Sequence, residues 1–101
     1  MKSIAPHVEA VEEFNAQVDY YEDQEEGLGE RFRSAVEEAI ERIRTQPNFF
    51  PYWDDTEFRE CPVKRFPFAV YYAERPEYIW IVAIANQWRR PGYWLNRLRR
   101  R

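Results

Sequence analysis

The chain has 101 residues, 45% of them hydrophobic and 33% charged, which suits one small folded domain (1–101) rather than a disordered chain and leaves little room for a second domain in this length. Its longest apolar run, Tyr78 to Ala85, cannot span a bilayer, no secretory pattern follows Met1–Lys2, and the single Cys61 allows no internal disulfide, so a cytoplasmic location is expected. The net charge of −3 hides a polarity: residues 1–57 carry 5 Lys/Arg against 15 Asp/Glu, residues 58–101 carry 10 against 3, and six arginines but no acid follow Asn86.

Such a distribution gives one end of the molecule a positive field and predicts an acidic or polyanionic partner for the C-terminal half. Met1 to Ala5 is long enough for a short strand. From His7 to about Glu22, Val11, Phe14, Val18 and Tyr21 recur at helical spacing, while Glu9, Glu12, Glu13 and Asp19 fall largely off that stripe. Gly27-Leu28-Gly29 breaks the pattern and joins this helix to a second, from about Glu30 to Gln46. Leu28, Phe32, Val36, Ala39, Ile40 and Ile43 form its apolar face, Glu38 and Arg42 are spaced as an i,i+4 pair, and Pro47 ends it.

Beyond an aromatic loop (Phe49, Phe50, Tyr52, Trp53) the period changes. Arg59 to Arg65 reads as a strand that Pro62 confines to an edge or bulge, and Phe66, Phe68, Val70 and Tyr72 alternate as a second. Glu74 to Glu77 supplies a turn, and the unbroken run Tyr78–Ala85 predicts a central strand covered on both faces. A short basic tail follows, helical from Pro91. The expected fold class is α+β: a helical hairpin packed on a small, mainly antiparallel twisted sheet, in the order (β)ααβββ.

Chemistry-bearing motifs are sparse. Cys61 on a strand beside Pro62 is read as a packed side chain, and His7, the one histidine, as a helix-entry residue. One Cys, one His and scattered carboxylates give no metal-ligand spacing, and no glycine-rich phosphate loop or serine elbow is present, so neither metal nor cofactor is expected. Arg65, Arg89 and Tyr93 could converge at one end of the sheet if their strands pair, as a metal-free acid–base site that would require a tyrosine of lowered pKa. The segment Trp88 to Arg97 interleaves cations with aromatics, which suits forked contacts to anions backed by stacking. It carries the candidate target-binding residues Arg89, Arg90, Tyr93, Trp94 and Arg97, to which Arg65 is added, and the tail arginines are expected to be replaceable without loss of the fold. The competing reading is that Tyr93, Trp94 and Leu95 cover the sheet while the arginines solvate its end. Arg99-Arg100-Arg101 is read as a frayed terminus.

Several of these segments, in this order, resemble the RelE/ParE superfamily of toxin–antitoxin toxins, often labelled plasmid stabilisation proteins. They are Tyr20-Tyr21-Glu22, Gly27 to Phe32, Val36 to Ile40, Gln46-Pro47, Arg65 to Tyr72, Ile81 to Ala85, and the closing Arg89-Arg90-Pro91-Gly92-Tyr93-Trp94 with Arg97. The resemblance implies a helical hairpin on a twisted sheet and a small antitoxin that wraps and neutralises the toxin. It also implies one of two actions: inhibition of DNA gyrase by ParE-like members, or ribosome-dependent mRNA cleavage by RelE-like members. The Arg-Arg-Pro-Gly-Tyr-Trp ending is similar to the ParE-like branch. Relatives commonly carry a histidine near where Asn86 and Gln87 stand, and its absence argues against acid–base catalysis. The expectation is therefore a binding inhibitor of gyrase rather than an enzyme, the rivals being an mRNA endoribonuclease using Arg65, Arg89 and Tyr93, or a non-toxic binding module.

Overall fold

The computed structural model describes residues 1–99. Its elements run β1 (Ser3–Pro6), α1 (Val8–Gln24), α2 (Leu28–Thr45), β2 (Arg59–Pro62), β3 (Phe68–Glu74), β4 (Tyr78–Asn86) and a 3-10 segment (Tyr93–Arg99). The expected α+β class and element order hold. Of the terminus read as frayed, Arg99 ends the 3-10 segment, while Arg100 and Arg101 lie outside the described residues.

The helices form where the periodicity places them. His7 caps α1, its Nδ1 accepting from the Glu9 amide at 3.0 Å, so the one histidine serves the helix start. At the start of α2 the Glu22 carboxylate accepts from the amides of Gly27 and Gly29, at 2.9 and 3.0 Å, and satisfies donors that helix geometry leaves open. Gly29 is needed for closeness: a Cβ there would stand 2.6 Å from the Val18 carbonyl oxygen, so any side chain would push α2 off α1. The apolar stripe of α2 is buried at Phe32, Val36, Ala39 and Ile43, but on α1 Val11 is exposed and Ala10 takes the buried place. Glu38 pairs with Lys64 at 3.7 Å, and Arg42 donates to the Pro62 carbonyl at 3.0 Å, so both charges serve tertiary contacts with the segment around β2.

The sheet order is β1-β4-β3-β2, with β1 parallel to β4 and the other pairs antiparallel. The continuous run is thus a central strand, and Pro62 lies in an edge strand. Several boundaries moved, α2 beginning at Leu28 rather than near Glu30. β2 stops at Pro62 and β3 starts at Phe68, because Arg65 takes a left-handed φ of 71° and turns the chain between them. The helical tail starts at Tyr93, after Gly92, rather than at Pro91.

The register also skips Val82: Tyr72 faces Ile81 and Tyr71 faces Ala83. This is a bulge, which leaves one residue of β4 outside the ladder. The alternation of faces along β4 shifts there, so that the consecutive Val82 and Ala83 lie on one side. Ile79, Ile81, Ile84, Val70 and Tyr72 join Phe32, Val36 and Ile43 in the core beneath the helices. Val82, Ala83, Ala85, Ala69 and Tyr71 point to a second core that contains no residue of α1 or α2. Phe58, Trp53 and Trp94 close that second core from the loop before β2 and from the tail.

Candidate functional site

Because β3 and β4 are antiparallel, with Phe68 opposite Asn86, the turn before β3 and the loop after β4 meet at one end of the sheet. The Gln87 amide donates to the Pro67 carbonyl at 2.7 Å and ties them together. Arg65, Arg89 and Arg90 therefore share the sheet end that their sequence positions suggested, and all three are exposed. They line different depressions. Arg65 lines a depression with Leu28, Arg31, Ser34 and Lys64 at the start of α2. Arg89, Arg90, Tyr93 and Trp94 line another, with Trp53, Glu60 and Tyr71, over the second core.

The tail is built inward. Trp94 is 1% exposed and packs against Trp53, Phe58 and Tyr71 at ring-centre distances of 5.4, 5.3 and 4.9 Å. Gly92 makes this seating possible, since it adopts a φ of 75° and a Cβ there would lie 3.0 Å from the Trp53 ring. Tyr93 and Trp94 thus cover the sheet, as the competing reading of the tail had it, whereas Leu95, the third residue of that reading, is exposed.

Arg97 departs from both readings. It is 3% exposed, and its Nη1 donates to the Val82 carbonyl at 2.9 Å, so the guanidinium satisfies the residue that the bulge leaves out of the ladder. Its Nη2 donates to Glu13 Oε2 at 2.5 Å, and its Nε stands 3.6 Å from Glu9 Oε1. Arg97 is a buried, paired strut rather than a surface cation, so removing it removes structure, contrary to the expected replaceability of the tail arginines. Acids to pair with the tail do exist, on α1. They escape local sequence inspection because they lie 84 and 88 residues upstream; the accessible signal was their i,i+4 spacing off the apolar stripe.

The same Glu13 oxygen accepts from the Tyr93 hydroxyl at 2.9 Å and lies 3.9 Å from Arg89 Nη1. The Arg89 guanidinium stacks over the Tyr93 ring, 4.0 Å from its centre. Burial pushes the Tyr93 pKa up to about 12, assisted by the hydrogen bond and charge of Glu13 and opposed by Arg89 and Arg97. For Arg97, burial disfavours the charge, but the hydrogen bond and charge of Glu13 outweigh it and the pKa is raised. Burial also raises the Tyr71 pKa, with the Glu60 carboxylate that accepts its hydroxyl at 2.7 Å acting in the same direction. Both tyrosines hold their protons more tightly, the opposite of what proton transfer near neutral pH requires. Cys61 is 0% exposed, and burial raises its thiol to about 11 against the partial opposition of Arg42. Among the described residues no group of three or more His, Cys, Asp or Glu side chains could hold a metal, and no helix is long and apolar enough to cross a membrane.

What projects outward is Trp88, 83% exposed, on the loop between β4 and the tail. The Asn86 side chain fixes that loop by accepting from the Trp88 amide at 2.7 Å. Trp88 lies in the basic aromatic segment but outside the candidate target-binding residues; a tryptophan between a polar Asn-Gln pair and two arginines is the signal the sequence offers. The cleft and loop can offer an apolar anchor flanked by two cations, backed by a rigid aromatic floor.

Among solved structures, one described as the chromosomal ParDE TA system from P. aeruginosa matches with a TM-score of 0.62 at 19% identity, covering 85% of this chain and 96% of that one. No curated protein sequence matches. The sequence pattern of the ParE toxin of type II toxin–antitoxin system, parDE, matches residues 4–91, from β1 to the loop that carries Trp88, Arg89 and Arg90. The order of strands and helices and the sequence pattern agree, and the chain belongs to the ParE toxin family.

Proposed function

We propose that this chain is a toxin that acts by binding, with DNA gyrase as its target and a cognate antitoxin as the partner that neutralises it. The observation that carries the reading is the exposed Trp88-Arg89-Arg90 loop, fixed on the sheet end by Asn86 and on the tail side by Tyr93. An exposed tryptophan flanked by arginines, on a support that is already ordered, is the composition from which protein-binding hot spots are drawn. Arg65 extends the positive field along the same end. Trp94 and Arg97 contribute from beneath by seating the tail.

The rival, ribosome-dependent mRNA cleavage by Arg65, Arg89 and Tyr93, has less support. Arg65 lines a different cleft from the other two, and the Tyr93 proton is committed to Glu13. Induction in bacteria separates the readings. The proposal expects gyrase–DNA cleavage complexes and a DNA-damage response, both relieved by co-expression of the antitoxin. Early translational arrest with cleaved mRNA would instead support the nuclease, and harmless overproduction would support a non-toxic binding module.

A further inference from the structure

Glu13 lies on α1, far in sequence from the loop that the proposed function uses, yet its carboxylate organises that loop from behind. Oε2 receives the Arg97 guanidinium at 2.5 Å and the Tyr93 hydroxyl at 2.9 Å, with Arg89 at 3.9 Å. Arg89 in turn rests on the Tyr93 ring at 4.0 Å, with 57% of its side chain exposed. One carboxylate thus fixes a buried strut, the ring on which the exposed arginine lies, and the arginine itself.

We propose that Glu13 is a positioning residue for the contact surface: acting through Tyr93 and by its own charge, it holds Arg89 in the orientation presented to a partner. The physical gain is preorganisation. A long arginine loses rotamer freedom on binding, and one already held loses less. Stability alone does not account for this arrangement, because an apolar pair of similar volume commonly stabilises a protein interior as well as a buried ion pair does. The other groups facing Glu13 fit the role. Glu9 stands on Arg97 from the preceding turn, so Arg97 keeps a carboxylate and the Val82 carbonyl, whereas among the described residues the Arg89 guanidinium is held by Glu13 and Tyr93 alone. The family pattern ends at residue 91, so Tyr93 and Arg97 lie beyond the matched segment.

The inference rests on the binding reading above, and its test separates the two. The decisive variant is the paired replacement Glu13→Leu with Arg97→Met, which substitutes apolar packing for the ion pair; Glu13→Gln is its companion, keeping an acceptor for Arg97 and Tyr93 while removing the charge. Three quantities are read on the full chain: amide exchange of residues 93–97, exchange of the Arg89 Nε proton by NMR, and affinity for purified gyrase. With the tail still protected, the proposal expects faster Arg89 Nε exchange and affinity weakened about tenfold, the scale of freeing one arginine. A protected tail with wild-type Arg89 exchange would reduce Glu13 to a structural contact and overturn the proposal. Where the paired variant leaves the tail undocked, Glu13→Gln combined with Tyr93→Phe decides, since it removes both the charge and the hydroxyl contact: a freed Arg89 upholds the role and an unchanged one overturns it. A wild-type chain that fails to bind gyrase overturns the proposed function, while the Arg89 exchange still decides the role of Glu13.

Discussion

The two faces of the sheet are closed by different means. Beneath the helices, Phe32, Val36, Ala39 and Ile43 of α2 meet Val70, Tyr72, Ile79 and Ile81 in a core of mostly aliphatic side chains supplied by long regular elements. On the other face the cover consists of single aromatics, Trp53, Phe58 and Trp94, delivered by a loop and a short 3-10 segment. Those pieces have too few backbone hydrogen bonds of their own to be stable in isolation. They are held by fixed points instead: Thr56 Oγ1 donates to the Trp53 carbonyl at 2.6 Å, and Arg97 reaches Val82 and Glu13. The helix face therefore supports the fold as a whole. The aromatic face is a separately stabilised layer, and it carries the candidate contact loop.

That contrast can be broken at several points. Phe32→Ala should destabilise the whole chain by about 3–5 kcal/mol, the usual cost of deleting a buried aromatic, read as one cooperative shift in chemical denaturation. Arg97→Ala should cost somewhat less, on the order of 3 kcal/mol, since it takes the charged partner from a partly buried carboxylate that keeps only the Tyr93 hydroxyl and the distant Arg89, and removes the donor of the bulge carbonyl. The loss should be local: amides of 93–97 exchange freely while those of α2 stay protected, and equal loss in both regions would erase the distinction drawn here.

Alkaline pH should act on the aromatic face. An unfolded tyrosine ionises near the ordinary value of 10.0 and folded Tyr93 near 12, so the unfolded chain gives up its proton first as pH rises. The stabilisation is complete below pH 10 and is lost as pH climbs through about 12, with the raised pKa of Tyr71 adding to it in the same direction. Tyr93→Phe should flatten this part of the stability profile, measured by Trp fluorescence during titration. The smallest stability effect belongs to Trp88→Ala, within about 0.5 kcal/mol of wild type, as expected of an exposed side chain. A larger loss would mean that the loop is part of the fold's support rather than a free surface.

Much of this division could be read from the chain itself. The helical stripe of α2 and the apolar run of β4 are periodic signals produced by burial, so they survive in one dimension. Pro62 marked an edge because a missing donor cannot serve a central strand. The parallel pairing of β1 could not be read, since four residues carry almost no pattern, nor could the bulge at Val82, which depends on the partner strand's register. The assignment of Arg97 as a surface cation failed for a related reason. Its partners are a carbonyl exposed by that bulge and two carboxylates on α1, and none of these is a neighbour in sequence. Charge counting grouped Arg65, Arg89 and Arg90, whose segments meet at one sheet end, but it could not show that α1 sets Glu9 and Glu13 against the tail, nor separate arginines that face solvent from the one that holds it.

The most direct measurement is inhibition of purified gyrase by wild-type chain and by a Trp88→Ala, Arg89→Ala, Arg90→Ala variant of unchanged thermal stability. The account predicts that the wild type inhibits, that antitoxin relieves the inhibition, and that the loop variant binds at least tenfold more weakly, a conservative figure for truncating three hot-spot residues. Undiminished inhibition by the folded variant, or none by the wild type, would contradict it.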